Sequence, residues 1–384
     1  MTIPFTVDPF TVDELHEEAR QRTGLSDFGE NDYLEGLHVL LESYGREAGL
    51  TPLGVIATRE LVVGALIARL KSEAALDSYP QHLDVPIERP IFLTGLPRTG
   101  TTALHRLLSV DPAHQGMEMW LAERPQPRPP RTEWESNPDY QKINASFAAQ
   151  HADNPELMGM HYMDAVEVEE CWRVLQQSMR SIAYECLSYV PTYSRWLREA
   201  DWTIPYQRHR RNLQLIGAND RDRRWVLKNP SHLFALDEIM SVYPDALVIV
   251  THRDPKAVIG SISSVNQQAT IGWSDTFTPE KVGATQLELW ARGLEQFNSA
   301  RGAYNPDQFL DVDYRDFVGD PVGTAGSVYS HFGIDLTEQA RAAMEAEVVA
   351  SRTGDRAPVH TYSLADIGLT ENEVDERFSG IRVG

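Results

Sequence analysis

The sequence predicts an α/β protein in which a parallel sheet is flanked by helices and preceded by a helical segment. Two observations predict this class. Short apolar stretches alternate with helical patterns from Pro90 onward, as they do when helices connect parallel strands. The stretch 246–251 is apolar throughout, which is typical of a strand covered on both faces. Such sheets bind ligands at the carboxyl ends of their strands, so we expect the functional site there.

Composition narrows the class of protein. The chain has 384 residues, 42% of them hydrophobic, with 56 acidic against 35 basic side chains and a net charge of −21. That charge disfavours a nucleic-acid partner. No basic leader and no apolar run of membrane-spanning length occurs, which predicts a cytoplasmic protein. Cys171 and Cys186 lack the spacing of a metal site or a disulfide framework, so we expect buried thiols and no metal.

Residues 1–88 are predicted to form a helical segment packed on the core. Thr11 is placed to cap a helix over 12–21, Asn31 or Asp32 to cap a leucine-rich helix, and Thr51 with Pro52 to open a long one. The segment either covers one face of the sheet, or serves as a homodimer contact or a lid over the substrate.

A phosphate-binding turn is predicted after the first strand, 91–95. Gly95 and Gly100 bracket four residues and allow successive N–H groups to point inward, while Thr101 and Thr102 begin a helix whose positive end attracts anions. In the ordinary nucleotide P-loop a lysine follows the second glycine. Here Thr101 holds that position and Arg98 is the nearest cation. The alternative is a tight strand-to-helix turn with a solvated arginine.

The remaining elements complete an α/β core at 89–335. The proline-rich stretch 124–131 is expected to cross the surface near a pocket mouth, and helices dominate 138–218. A strand at 225–228 is followed by a helix at 232–243, and a strand at 309–312 precedes another helix. Residues 336–384 are expected to complete the donor or the acceptor site.

A second anion-binding feature follows strand 246–251. Arg253 lies at the strand end and Ser261 lies on the next helix, so both side chains could converge on one phosphate. Alternatively, Arg253 pairs with Asp254 and the serine lies on a solvated face.

Together these motifs resemble the sulfotransferase family, whose members take a sulfuryl group from 3′-phosphoadenosine-5′-phosphosulfate (PAPS). The resemblance rests on Leu-Thr-Gly-Leu-Pro-Arg-Thr-Gly-Thr-Thr at 93–102 and on Thr-His-Arg-Asp-Pro at 251–255 with Ser261. It extends weakly over 312–321 and 360–370.

The resemblance implies binding roles for individual residues. The 5′-phosphosulfate would be held by Pro97, Arg98, Thr99, Gly100, Thr101 and Thr102. Arg253 and Ser261 would hold the 3′-phosphate, and Tyr314 would approach the adenine. Arg98 replaces the usual loop lysine and Ala103 the usual stacking tryptophan, so the chain is more similar to a bacterial branch with an arginine loop.

Sulfuryl transfer needs cations at the leaving oxygen and a base at the acceptor hydroxyl. Arg98 and Lys228 are the candidate cations, and no metal is required in principle. By similarity to the bacterial branch, Glu170 is the first candidate base and Glu167 the second. The two residues are three positions apart in the sequence, so they would share a face of a helix. His232 is a further candidate and Glu118 another, while His252 is expected to orient its loop. The structural alternative for the glutamates is that they are acids at a helix N-terminus, where they interact favourably with the helix dipole. The structural alternative for His232 is that it only caps or packs the first turn of a helix.

The predicted function is therefore PAPS-dependent sulfation of a hydroxyl group on a small molecule, lipid or sugar, with 3′-phosphoadenosine-5′-phosphate (PAP) as product. A P-loop kinase or NTPase and a non-catalytic nucleotide-binding protein remain as alternatives. Four aromatic residues could line an acceptor pocket or lie in the core: Trp120, Trp172, Tyr193 and Trp196.

Overall fold

The computed structural model describes residues 9–153, 163–352 and 362–383. Within these ranges the sheet consists of β1 (Ile91–Gly95), β2 (His114–Gln115), β3 (Arg224–Lys228), β4 (Leu247–His252) and β5 (Phe309–Asp313). All pairs are parallel, in the order β2-β3-β1-β4-β5. The predicted α/β class with a parallel sheet is confirmed.

β1 lies at the centre, where Ile91 is in register with Val226 of β3 and Leu247 of β4. The chain therefore reverses its direction of winding beside β1, and the ends of β1, β3 and β4 lie next to one another. The edge strand β2 was not predicted, because two residues are too few to show alternation.

The helices before β3 are α1 (Val12–Thr23), α2 (Leu34–Arg46), α3 (Pro52–Ser78), α4 (Thr101–Ser109), α5 (Met119–Glu123), α6 (Pro138–Asp153), α7 (Trp172–Gln176), α8 (Ala183–Leu187), α9 (Pro191–Glu199) and α10 (Thr203–Ile216). After β3 come α11 (Leu236–Val242), α12 (Pro255–Ala269), α13 (Pro279–Arg301), α14 (Tyr314–Gly319), α15 (Pro321–Phe332), α16 (Glu338–Ser351) and α17 (Glu371–Phe378). None of the helices in the described ranges is both long enough and apolar enough to cross a membrane.

Hydrophobic side chains cover both faces of the sheet. Leu93 and Val226 face a cluster with α4, α15 and α16, whereas Phe92 and Val248 face a larger cluster that includes α1–α3. Thr51 caps α3 as predicted, with its Oγ1 accepting a hydrogen bond from the Gly54 amide at 3.1 Å. The N-terminal helices thus belong to the core on one side of the sheet.

Two predicted elements differ in the structure. The helix expected at 232–243 is a 3₁₀ turn, Pro230–Phe234, followed by α11, because Pro230 and the Asn229 cap fix a tight turn directly after β3. The stretch 124–130 is irregular, as the prolines predict, but much of it is buried and it does not line the cavity described below. Arg128 is buried and binds Glu118, Asp220 and the Gly116 carbonyl, so it ties the loop to the edge of the sheet.

Candidate active site

The turn between β1 and α4 depends on backbone geometry that favours glycine at both ends. Gly95 has φ 131° and Gly100 has φ 86°. A Cβ on Gly95 would lie 2.4 Å from the Thr251 carbonyl oxygen of β4, and one on Gly100 would lie 3.2 Å from the Tyr314 and Phe317 rings. The two glycines therefore let the loop close against β4 and α14.

Arg98 and Arg253 meet above this turn. Arg98 has φ 65°, a left-handed conformation that is unusual for a residue with a side chain. Its Nε donates a hydrogen bond to Ser261 Oγ at 3.2 Å, and its carbonyl accepts one from Arg253 Nη1 at 2.9 Å. The Arg253 guanidinium also lies 4.4 Å from the centre of the Tyr314 ring. The two motifs that the sequence separates by 155 positions thus form one structure.

The electrostatics of this pair favour an anion. Burial, and then the neighbouring Arg253 charge, lower the pKa of Arg98 below its ordinary value. A guanidinium remains charged at neutral pH even so, and two neighbouring guanidinium groups both gain from an anionic partner. The first amides of α4 add to this field, since Gly100 has no side chain with which to cap them.

Lys228 and Glu170 lie beside the start of α4. Lys228 is buried at the end of β3, where its Nζ donates hydrogen bonds to Thr102 Oγ1 at 3.0 Å and to Glu170 Oε1. The Cys171 amide donates to the Lys228 carbonyl at 3.0 Å, which fixes Glu170 against the strand end. A carboxylate, an ammonium and a hydroxyl therefore lie in one hydrogen-bonded chain next to the turn between β1 and α4.

The acidic segment is not a helix, contrary to the sequence prediction. Residues 165–167 form a turn and a bend, and Val168 then forms an antiparallel bridge with Glu118. Neighbouring acids therefore point in different directions rather than sharing a helix face. Glu167 lies 2.9 Å from Arg106, and Glu169 accepts a hydrogen bond from Trp172 Nε1 at 3.1 Å. Glu170 alone of these three lines the main cavity described below.

His232 is not brought to the site. Its ring is buried against Phe92, and its Nδ1 is hydrogen-bonded to the Tyr206 hydroxyl at 2.6 Å. Burial holds its pKa well below the ordinary value. The candidate base read from the sequence therefore lies in the core below the strand end. His252, by contrast, holds the end of β4 by contacting Asp311 at 2.7 Å.

One cavity of about 920 Å³ joins these groups. We divide its lining into two parts. The part that we call the polar end is lined by Arg98, Thr101, Thr102, Glu170, Arg253, Ser261 and Tyr314. The part that we call the apolar end is lined by Leu61, Ile182, Leu187, Val265, Ala269, Trp273 and Trp290. Trp172 also lines the cavity. Trp120 and Tyr193 are buried in the hydrophobic core, with Trp196 packed against it.

Two asparagines in the wall were not predicted. Asn229 and Asn266 are buried, and the Nδ2 atom of each lacks a hydrogen-bond acceptor within the described residues. Asn266 has the Cys186 thiol beside it, which is only a weak acceptor. Asn229 follows Lys228 at a strand end and could have been suspected from that position. Nothing in the local sequence distinguishes Asn266.

Comparisons with known proteins give the family. A family model described as "Sulfotransferase family" matches residues 90–338. The crystal structure of sulfotransferase STF1 from Mycobacterium tuberculosis is 55% identical, with a TM-score of 0.91 over 97% of this chain and 99% of that one. Sulfotransferase STF9 from Mycobacterium avium is 26% identical, with a TM-score of 0.83 over 98% and 97% of the two chains.

A curated relative from Mycobacterium tuberculosis, omega-hydroxy-beta-dihydromenaquinone-9 sulfotransferase Stf3, is 29% identical over 262 residues. That match spans 64% of this chain and 63% of the relative's length. The matches confirm the resemblance that was drawn from the β1–α4 turn and the end of β4. The chain belongs to the sulfotransferase family.

Proposed function

We propose that the protein transfers a sulfuryl group from PAPS to a hydroxyl group of a lipid or small molecule. The convergence of Arg98, Arg253 and Ser261 beside an uncapped helix start is the observation that carries the proposal, because it offers cations for two separate anionic groups of one donor. Membership of the sulfotransferase family and the names of the similar proteins support the same chemistry.

The donor fits the residues of the polar end. The turn from Pro97 to Thr102 would bind the 5′-phosphosulfate through Arg98, backbone amides and threonine hydroxyls. Arg253 and Ser261 would bind the 3′-phosphate, and Tyr314, against which Arg253 stacks, would contact the adenine. Arginine suits this task because its planar fork matches phosphate oxygens.

Glu170 is the proposed base. It accepts the proton of the acceptor hydroxyl as the oxygen forms its bond to sulfur and the bond from sulfur to the phosphate oxygen breaks. Lys228, with Arg98, stabilises the charge that develops on the departing oxygen of PAP. The contact between Lys228 and Glu170 supports these roles, because it joins the two side chains in one hydrogen-bond network.

Phosphoryl transfer fits the site less well. A P-loop kinase or NTPase needs a lysine after the second glycine and a carboxylate for magnesium. Thr101 follows Gly100, and β4 is followed by Arg253, whose positive charge would repel a metal ion. No group of three or more potential metal ligands is found among the residues that the structure describes.

The test is a transfer assay with PAPS in the presence of EDTA and a panel of primary alcohols and phenols. We expect PAP and a sulfate ester in equal amounts, identified by mass spectrometry. Phosphoryl transfer from ATP with magnesium, without use of PAPS, would refute the proposal. Tight PAP binding without turnover on any acceptor would instead favour the non-catalytic alternative.

A further inference from the structure

Helix α12 forms a wall along the length of the cavity. Its cavity-lining residues are Ser261, Ile262, Val265, Asn266 and Ala269, a spacing that belongs to one helix face. Ser261 contacts Arg98 at the polar end, whereas Ala269 is the last residue of the helix. Eight residues at 1.5 Å each separate the two ends by about 12 Å.

Beyond Ala269 the wall continues to the protein surface. The Thr51 amide donates to the Trp273 carbonyl at 2.9 Å, and Thr51 Oγ1 donates to the Gly272 carbonyl at 2.6 Å. These bonds join the start of α3 to the turn after α12. Trp273 from the turn and Leu61 from α3 both line the cavity, as Ala269 does.

Three exposed apolar side chains lie at this junction, and we call them the apolar rim: Leu53, Ile56 and Ile271, which are 53%, 61% and 65% exposed. Leu53 lies over the turn, since its Cδ2 is 3.5 Å from the position that a Cβ on Gly272 would take. Single exposed apolar residues are common on protein surfaces, but a group beside the turn whose Trp273 lines the cavity indicates a ligand path.

We propose that the acceptor is an elongated amphiphile with its hydroxyl group at one end. The hydroxyl lies at Glu170, and the apolar chain follows α12, passes Trp273 and leaves over the apolar rim. This inference rests on the proposed function and specifies its substrate class. A sugar in the same place would lose water from its hydroxyl groups against Val265, Ala269 and Trp290, and the Nδ2 groups of Asn229 and Asn266 would replace only part of that water, which is unfavourable.

The test measures binding rather than turnover. Calorimetric titration of PAP alone comes first; hexan-1-ol, decan-1-ol, dodecan-1-ol and tetradecan-1-ol are then titrated into the PAP-bound protein. Each methylene that enters the apolar end should lower the alcohol Kd by about fourfold, the value that corresponds to burying one such group.

A double variant tests the exit over the rim. Leu53→Asp with Ile271→Asp should remove the gain from dodecan-1-ol to tetradecan-1-ol, whose last methylenes extend past Ala269, and leave PAP binding unchanged. Leu83→Asp is the matched control, because Leu83 is 66% exposed and follows the opposite end of α3. The 27 residues of α3 place that end about 40 Å from its start.

The outcomes separate the two proposals. If PAP binds but alcohol affinity does not depend on chain length, the amphiphile inference fails and the proposed function stands. If PAP does not bind, the proposed function fails, and the inference that rests on it fails as well. If the double variant turns a dimer into a monomer in sedimentation while alcohol binding is unchanged, the rim is a contact between copies and the inference is overturned.

Discussion

The two ends of the cavity are built in different ways. The polar end combines the carboxyl ends of three neighbouring strands, β1, β3 and β4, with the starts of the elements that follow them. The apolar end is formed by side chains that are far apart in the sequence, such as Leu61, Ile182, Val265 and Trp290. Sheet topology fixes the first, whereas packing of the surrounding helices fixes the second.

This difference has functional consequences. At the polar end Arg98, Glu170 and Arg253 are held by hydrogen bonds, so a substitution should act on donor binding or on the chemical step. At the apolar end contacts are non-directional, so a substitution should change acceptor preference. The predictions below test whether the division holds.

The largest effect is expected for Glu170→Gln. The substitution keeps the shape of the side chain and removes its ability to take a proton, so kcat should fall by about 10² to 10⁴ while PAP affinity is retained. Steady-state assays and calorimetry on the same samples measure both.

Glu167→Gln serves as the comparison, because Glu167 contacts Arg106 rather than lining the cavity. A larger loss of kcat for Glu167→Gln than for Glu170→Gln would transfer the role of base to Glu167.

Arg98→Ala should lower turnover by about 10² to 10³, the cost of losing one preorganised donor to developing charge. Arg98→Lys should recover part of the loss, because it restores charge without the fork. Single-turnover kinetics isolates the chemical step. Arg315→Ala is the control, since Arg315 is exposed beside the site. Equal turnover in Arg98→Ala and wild type would remove Arg98 from the mechanism.

The smallest effect is expected on the pH dependence of stability, through the buried residues His105 and His209. The ordinary histidine pKa of 6.5 falls to about 3 for His105, mainly because the ring is buried and next because Lys228 lies nearby. Burial alone lowers the pKa of His209 from 6.5 to about 3. The unfolded chain therefore binds protons that the folded chain excludes. Stability should fall as the pH drops below 6.5, by up to about 1.4 kcal/mol per pH unit for each histidine.

Urea unfolding between about pH 7 and pH 5 measures this slope, above the range in which most carboxylates titrate. His209→Gln should make the slope shallower, whereas His331→Gln should not, because His331 is exposed. An unchanged slope in His209→Gln would show that His209 is not excluded from protonation in the folded protein.

Much of the polar end was predictable because its residues are close in sequence to strand ends. Gly95, Arg98 and Thr101 lie in one turn, and Arg253 directly follows β4, so topology brings them together. The division into segments 1–88, 89–335 and 336–384 and a homodimer contact through the N-terminal helices remain predictions.

Other features depend on tertiary contacts that local sequence does not encode. The acids near Glu170 have a helix-like spacing, but the segment is not a helix, because Val168 forms a bridge with Glu118. His232 follows a strand end, yet its ring turns into the core toward Tyr206. The apolar end was not predicted because Leu61 and Trp273 become neighbours only when α3 packs on the turn after α12.

Calorimetric titration with PAP in EDTA, and separately with ATP and magnesium, tests the central claim that the two arginines bind a sulfuryl donor without metal. We predict tight, metal-independent PAP binding that Arg253→Ala weakens by about 10- to 100-fold, the loss expected for a charged hydrogen-bonding partner. Preference for ATP with magnesium, or PAP binding that Arg253→Ala leaves unchanged, would contradict the account.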